Sequence, residues 1–377
     1  MKKIINMVGT SLFENYLRIN RDDNFESAYR FFKDNKIEAD ELDKETHRKE
    51  NIRKVFKTNY FINNSEASAE IKSLIKLKEE LNEPLEIYLL YSDTALSRIS
   101  AEIIHDSLSF YDLFKDCLSK HPHKIEGLQT DDREKFNKGM INLIATIDNI
   151  SQGYWVNMII NITAGYKATI PYLTILAQIN KCPLFYIFEE TDALIKIPYI
   201  PIEINWQLFE KYWEFFDKIA NPNFISKREL PHDFLSDCSN LLEEIKIDNV
   251  NYVALGPVGE MLWRKYKSKF FIFYAPEEVY EKIQGQSQVK RILINKFYKS
   301  DERQNKTEIK NEHYVYDDGN NPYRIFYFEK EEKIYIYKTF DKHSEYEDYL
   351  RKVKIDENFK EQIRNQSKVY KWEVQNV

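Results

Sequence analysis

The sequence predicts an α/β domain followed, after a small helical bridge, by an α+β domain. Short apolar runs at 3–8, 87–91, 156–162 and 184–188 alternate with long amphipathic, charged segments at 20–83 and 97–150. That alternation is expected of a parallel sheet covered by helices. Past residue 310 the pattern changes to strands at 312–316, 323–329 and 333–340, separated by the turn formers of 317–322 and 330–332. Pro198 and Pro201 interrupt regular structure and close the first domain.

The first strand, 3–8, runs into Gly9-Thr10-Ser11, a small hydroxylated turn, before Leu12. The run 156–162 reads as a buried parallel strand and leads through Thr163, Ala164 and Gly165 into a helical pattern over 167–178. A strand-to-helix turn directs backbone N–H groups and the positive end of a helix dipole at a ligand. Lys167 adds a mobile cation, so the pair of turns suits a phosphate. Neither turn is a Walker loop or a Gly-x-Gly-x-x-Gly fingerprint. Either one alone is equally well explained as an ordinary αβ connection.

Residues 206–266 read differently. An amphipathic helix at 206–219 is broken by Asn221-Pro222, and short helices are expected at 225–230 and 236–247. A small hairpin at 248–255 and a last helix at 259–266 follow, the order of a winged-helix module. The module has little excess positive charge, which favours a structural bridge over a DNA-binding role. The last domain opens with a strand at 270–274 and helices near 277–283 and 288–299, and a helix at 344–353 follows its three strands.

Composition bounds the rest. At 377 residues, 43% hydrophobic and 31% charged, the chain is long enough for two or three domains with their own cores. No apolar stretch reaches membrane-spanning length, and the start Met-Lys-Lys-Ile-Ile leads into a strand rather than a signal peptide. Cys117, Cys182 and Cys238 are scattered without a Cys-x-x-Cys pair, so no zinc site or disulfide framework is expected and a reducing cytoplasm is. The net charge is −6, yet residues 267–377 hold 22 Lys+Arg against 20 Asp+Glu.

Val8-Gly-Thr-Ser-Leu12, the strand 87–91 with Ser92-Asp93-Thr94, Asn161-x-Thr-x-Gly-x-Lys167 and Ile197-Pro-Tyr-Ile-Pro201 together resemble a CARF domain. Tyr166 departs from the usual pattern of that family. The resemblance implies a Rossmann-like sensor of type III CRISPR systems that binds a cyclic oligoadenylate across a homodimer axis. It also implies that Gly9, Thr10, Ser11, Ser92, Asp93, Thr163, Gly165, Tyr166 and Lys167 line the pocket. The two-fold symmetry of a cyclic tetra-adenylate ring matches two-fold pairing of the sensor.

Asn321-Pro-Tyr-Arg-Ile-Phe-Tyr-Phe328 and 334–346 resemble the RelE/HigB toxin fold over about 268–355. This implies ribosome-dependent endoribonuclease activity on mRNA. Arg324 matches the arginine that opens that family's central strand, and Lys342, His343 and Tyr346 fall where it places late basic and aromatic residues. Lys306 and Lys310 align less securely. Cleavage without a metal needs the RNA's own 2′-hydroxyl as nucleophile, a proton acceptor, a proton donor and cations for the phosphorane. Arg324 suits the cationic role; Lys310 or His313 is expected to act as base, Lys342 or His343 as acid, and Tyr346 to stack a base.

The full expectation is therefore a CARF sensor at 1–203, a winged-helix-like bridge at 206–266 and a RelE-like ribonuclease at 268–377. The expected partners are the activator, the ribosome and mRNA, with no metal, cofactor or membrane, in a cytoplasmic homodimer. Two alternatives stay open. One is a metal-dependent nuclease using Asp301, Glu308 and Lys310, disfavoured because 301–310 reads as too polar for the strand such a site needs. The other is a non-enzymatic CARF winged-helix regulator of DNA. An HEPN ribonuclease is excluded because no Arg-x4-His occurs.

Overall fold

The computed structural model describes residues 1–56, 60–129, 132–188, 193–319, 321–331 and 333–374. Residues 57–59 and 130–131 of the expected helical segments, and Asn320 and Glu332 of the expected turns, lie outside the described residues. The protein is a mixed α/β chain with three sheets among the described residues, and it divides into two compact units, Met1–Trp263 and Arg264–Val377.

The first sheet contains β1 (Lys2–Val8), β2 (Leu85–Ser92), β3 (Leu118–Ser119), β4 (His123–Ile125), β5 (Met158–Asn161), β6 (Leu184–Phe188) and β7 (Ala193–Ile197). Its order is β3-β2-β1-β5-β6-β7, with β4 also on β2, and every pairing is parallel except β6 with β7. Ile4 and Val8 of β1 face a core with Leu12, Phe13 and Leu74, while Ile5 and Met7 face another with Leu143, Leu173 and Leu176. Burial on both faces makes these strands continuous apolar runs. The chain leaves β1 toward β2 but places β5 on the opposite side of β1. That reversal is a topological switch point, where open α/β sheets bind ligands beyond the strand carboxyl ends.

The strands differ from expectation in two ways. The run 156–162 becomes a strand only at Met158, because Trp155–Asn157 is a 3-10 turn and Val156 is 75% exposed. The short β3 and β4 and the edge strand β7 were not anticipated.

The segment between the first sheet and Trp263 has its own antiparallel sheet, β8 (Ile225–Ser226), β9 (Leu242–Ile247) and β10 (Val250–Leu255), in the order β8-β10-β9. The single helix expected at 206–219 is two, Gln207–Lys211 and Trp213–Ile219. Residues 225–230 form β8 and a 3-10 turn rather than a helix. The helix expected at 236–247 is replaced by His232–Asp237 and β9. Asp248 and Asn249 explain the difference, since both adopt positive φ (48° and 63°), as a two-residue type I′ hairpin turn requires. Phe209, Phe216, Phe234 and Trp263 form the small core, with Phe209 and Phe216 stacked 4.7 Å apart. A Cβ on Gly259 would lie 2.2 Å from the Leu241 carbonyl oxygen, so only glycine lets helix Pro257–Lys267 sit this close to the hairpin.

The second unit holds a six-stranded sheet of β11 (Phe270–Pro276), β12 (Thr307–Lys310), β13 (His313–Asp317), β14 (Arg324–Lys330), β15 (Lys333–Phe340) and β16 (Ser367–Glu373). Its order is β12-β13-β14-β15-β11-β16. Along β14, Ile325 and Tyr327 join a core with Ile283, Leu293 and Phe297. Phe326 and Phe328 join the opposite core with Tyr337, Tyr346 and Leu350. Both faces are thus covered, one by helices Glu277–Gly285 and Ser287–Ile292 and the π-helical turn Leu293–Phe297. The other is covered by His343–Lys352 and Glu357–Gln366. The latter helix and β16 were not anticipated. Residues 307–310 do form a strand, contrary to expectation. β12 is an edge with Ile309 70% exposed, so its polarity is compatible with pairing on β13 alone.

Candidate functional site

Two constellations emerge, one in each unit. In the first, β1 and β5 run side by side with Asn6 opposite Asn161. Both asparagines are fully buried, and Asn161 Nδ2 donates to Asn6 Oδ1 (2.5 Å) and to Ser73 Oγ (2.7 Å). Its Oδ1 accepts from the Thr163 backbone N–H (3.2 Å) and hydroxyl (2.7 Å), and the Thr163 hydroxyl oxygen accepts from Ile187 N–H (3.0 Å). A satisfied buried network of this kind rigidifies the turn that follows the strand. Thr163 is therefore used to hold the turn.

The two strand-end turns touch. Gly165 has φ +92°, and a Cβ there would lie 2.5 Å from Met7 Cβ; a Cβ on Gly9 would lie 3.2 Å from Gly165 N. Glycine is thus required at 165 by both backbone and space. Thr10 and exposed Ser11 lead helix Ser11–Ile19, whose N-cap Thr10 makes no side-chain capping bond. Half-buried Tyr166 packs against the core, and exposed Lys167 opens the 3-10 turn before helix Ile170–Ile179. Lys167 enters no ion pair among the described residues. Gly9, Thr10, Ser11, Thr163, Gly165, Tyr166 and Lys167 are accordingly grouped at the switch point.

Ser92 and Asp93 reach the same sheet edge at the end of β2 but turn into the fold. Asp93 is buried, accepts from Gly127 N–H (3.0 Å) and faces Lys124 Nζ at 3.8 Å. Ser92, also buried, lies 3.4 Å from the Thr94 hydroxyl. In this structure both residues hold the neighbouring turns through these contacts.

Glu70 was not anticipated, because nothing in an amphipathic helix marks which acid will be enclosed. It is fully buried beneath the Gly9 turn, where Oε1 accepts from Gly9 N–H (2.7 Å) and Oε2 from the Ser68 hydroxyl (2.9 Å). Burial pushes its carboxyl above the usual range, against these hydrogen bonds. The folded chain then holds this proton more tightly than the unfolded chain, so stability falls as pH rises from about 4.3 through the folded-state value. Glu70→Gln should flatten that part of the profile, measured by urea unfolding between pH 4.5 and 8. An unchanged slope would show that Glu70 is not the group responsible.

In the second unit, three of the expected residues converge on Tyr346. Lys310 Nζ lies 5.6 Å and Arg324 Cζ 5.9 Å from the ring centroid, and the His343 ring stacks on it at 4.8 Å and 21°. Arg324 opens β14; its Nη1 donates to the carbonyls of Asn321 and Tyr323 (both 2.9 Å), and Nη2 lies 2.7 Å from Asp317 Oδ2. Its Nε is buried and makes no hydrogen bond. Lys310 pairs with Glu308 at 2.8 Å, and that hydrogen bond raises its pKa.

Several role expectations change accordingly. His313 is fully buried, its Nδ1 2.8 Å from Tyr337 Oη and its Nε2 2.9 Å from Val353 O, which removes it as a base. Lys310, held as an ammonium by Glu308, is a cation or acid rather than a base. Tyr346 is buried under His343, so it is scaffold rather than an open stacking platform. Lys342 pairs with Glu345 at 3.0 Å, which raises its pKa, and Lys306 pairs with Asp318 at 2.9 Å. Neither is in the Tyr346 cluster as described. The counter-carboxylates Glu308 and Asp317 carried one usable sequence signal: Glu308 and Lys310, two apart on a strand, share a face. Among the described residues, no group of three or more His, Cys, Asp or Glu is gathered as a metal would need.

Comparison with known proteins gives a partial match. No curated protein matches the chain. The structure of Can2 from Sulfobacillus thermosulfidooxidans in complex with cyclic tetra-adenylate is similar at 11% identity and a TM-score of 0.22, covering 72% of this chain and 75% of that one. So loose a likeness fixes neither fold nor ligand. Residues 65–200, from before β2 to just past β7, match the family model described as CRISPR-associated protein (Cas_APE2256).

Proposed function

We propose that the protein is a cyclic oligoadenylate-activated, ribosome-dependent mRNA endoribonuclease acting in CRISPR defence. In this reading residues 1–203 are a dimeric CARF sensor for cyclic tetra-adenylate, 206–266 a winged-helix-like bridge and 268–377 a RelE-like ribonuclease. The observation that carries it is the gathering of Arg324, Lys310 and His343 around Tyr346. The glycine turns at the switch point, and the family match of residues 65–200, support the sensor.

The chemistry follows from the groups present. The RNA 2′-oxygen attacks its own phosphorus while the P–O5′ bond breaks. His343 takes the 2′-hydroxyl proton on a ring nitrogen, imidazole being able both to accept and to donate a proton. Lys310 protonates the departing 5′-oxygen in this reading. Arg324 stabilises the phosphorane, in competition with Asp317 for its guanidinium. The activator acts only by favouring one of two arrangements of the chain. The near balance of charge in residues 267–377 favours mRNA presented by a ribosome over capture of free RNA.

The test is cleavage of naked and translating mRNA with and without cyclic tetra-adenylate, repeated with chelator on polyamine-stabilised ribosomes. Activator-dependent cleavage of ribosome-held mRNA that survives chelation and leaves a 2′,3′-cyclic phosphate is expected. Equal rates on naked mRNA would remove the ribosome from the reading. A 3′-hydroxyl product would move the chemistry to the metal-dependent alternative, which one observation favours: Glu308 and Lys310 do lie on a strand.

A further inference from the structure

A cavity of about 540 Å³ opens between helix Ser287–Ile292 with its π-helical continuation Leu293–Phe297 and the turn joining β13 to β14. Arg291, Asn295, Lys296, Asp318, Asn321 and Tyr323 line it. The volume is that of a small-molecule site, and π-helical turns recur at functional sites. Asp318, nearly buried, is held by Lys296 and Lys306 (2.8 and 2.9 Å) and by Asn321 Nδ2 (3.2 Å). Those lysine hydrogen bonds outweigh its burial and keep its carboxyl below the ordinary range. One carboxylate thus stands against two lysines and exposed Arg291, which enters no ion pair among the described residues. The excess is positive.

The cavity is also tied to the candidate catalytic arginine. Arg324 donates to the backbone carbonyls of Asn321 and Tyr323, so one wall of the cavity and the guanidinium are a single hydrogen-bonded unit. We infer that this cavity is a subsite for the RNA nucleotide next to the scissile phosphate, an inference resting on the ribonuclease reading. Tyr323 gives the base a ring to stack on, the Asn295 carboxamide reads its edge, and Arg291 and Lys296 meet its phosphate.

The experiment uses the full chain with cyclic tetra-adenylate, in single-turnover cleavage of ribosomes programmed with mRNAs varied at positions flanking the cut. R291Q should raise the half-saturating substrate concentration roughly tenfold, the loss of one charge-assisted hydrogen bond, with the maximal rate kept. N295A should flatten the nucleotide preference beside the cut, a readout that a merely structural role would not move. K290Q removes a neighbouring exposed charge outside the cavity and should change half-saturation less than twofold. Equal losses in R291Q and K290Q would replace the subsite with diffuse attraction. Unchanged half-saturation and preference in R291Q and N295A, with wild type active, would overturn the subsite alone. A wild type inactive on programmed ribosomes and naked RNA would overturn the ribonuclease reading and the subsite with it.

Discussion

Arg324→Ala should lower the cleavage rate on the order of a hundredfold or more, the usual cost of deleting a preorganised donor to a charge-developing oxygen. Binding of the activator should be unchanged, because Arg324 belongs to the second unit and the glycine turns to the first. The fold should survive, since Ile325 to Phe328 keep their places in the two cores of that unit. The stranded Asp317 carboxylate is partly exposed and can be hydrated. Arg324→Lys restores the charge but not the planar fork that holds two phosphate oxygens, so it should recover only part of the loss. The measurement is single-turnover cleavage on programmed ribosomes, with thermal unfolding as the check on folding. An alanine variant at full speed would remove Arg324 from the chemistry.

Legibility in the sequence followed burial. β1, β2 and β6 were plain because both of their faces are enclosed, which leaves continuous apolar runs. Edge strands were not: β12 carries an exposed Ile309 and β7 an exposed Ile195, so their patterns read as loop. β9 was mistaken for helix because Glu243 and Glu244 are good helix formers, and tertiary pairing with β10 overrode that preference.

The candidate sites were legible in the same uneven way. Gly9 and Gly165 could be recognised from their positions at strand ends, whereas their mutual contact and the support from Glu70 arise only when helix Ala69–Leu81 packs beneath them. His313 shows the limit most clearly. Alternation marks it as a strand residue, yet its burial depends on Tyr337 and Val353, 24 and 40 residues away. No local pattern distinguishes such a histidine from His343, which lies at the start of a helix against Tyr346.

Lys167→Ala should weaken binding of cyclic tetra-adenylate roughly tenfold to a hundredfold, the range for losing a charge-assisted hydrogen bond to phosphate. The lysine is exposed and outside any ion pair among the described residues, so its removal leaves the fold intact. It sits at the start of the turn before helix Ile170–Ile179, whose N-terminal backbone groups carry the positive end of the helix dipole and favour an anion. Those groups remain in the variant, which is why binding should be reduced rather than abolished. The salt dependence of binding should also become shallower, because one screened cation has been lost. By linkage, the activator concentration for half-maximal cleavage should rise by the same factor, while the rate at saturating activator stays at the wild-type value. That pattern is the opposite of the one expected for Arg324→Ala and separates sensing from chemistry in a single pair of titrations. Calorimetry showing undiminished binding in Lys167→Ala would take the lysine out of the site and leave the two glycine turns as an ordinary crossing of strand ends.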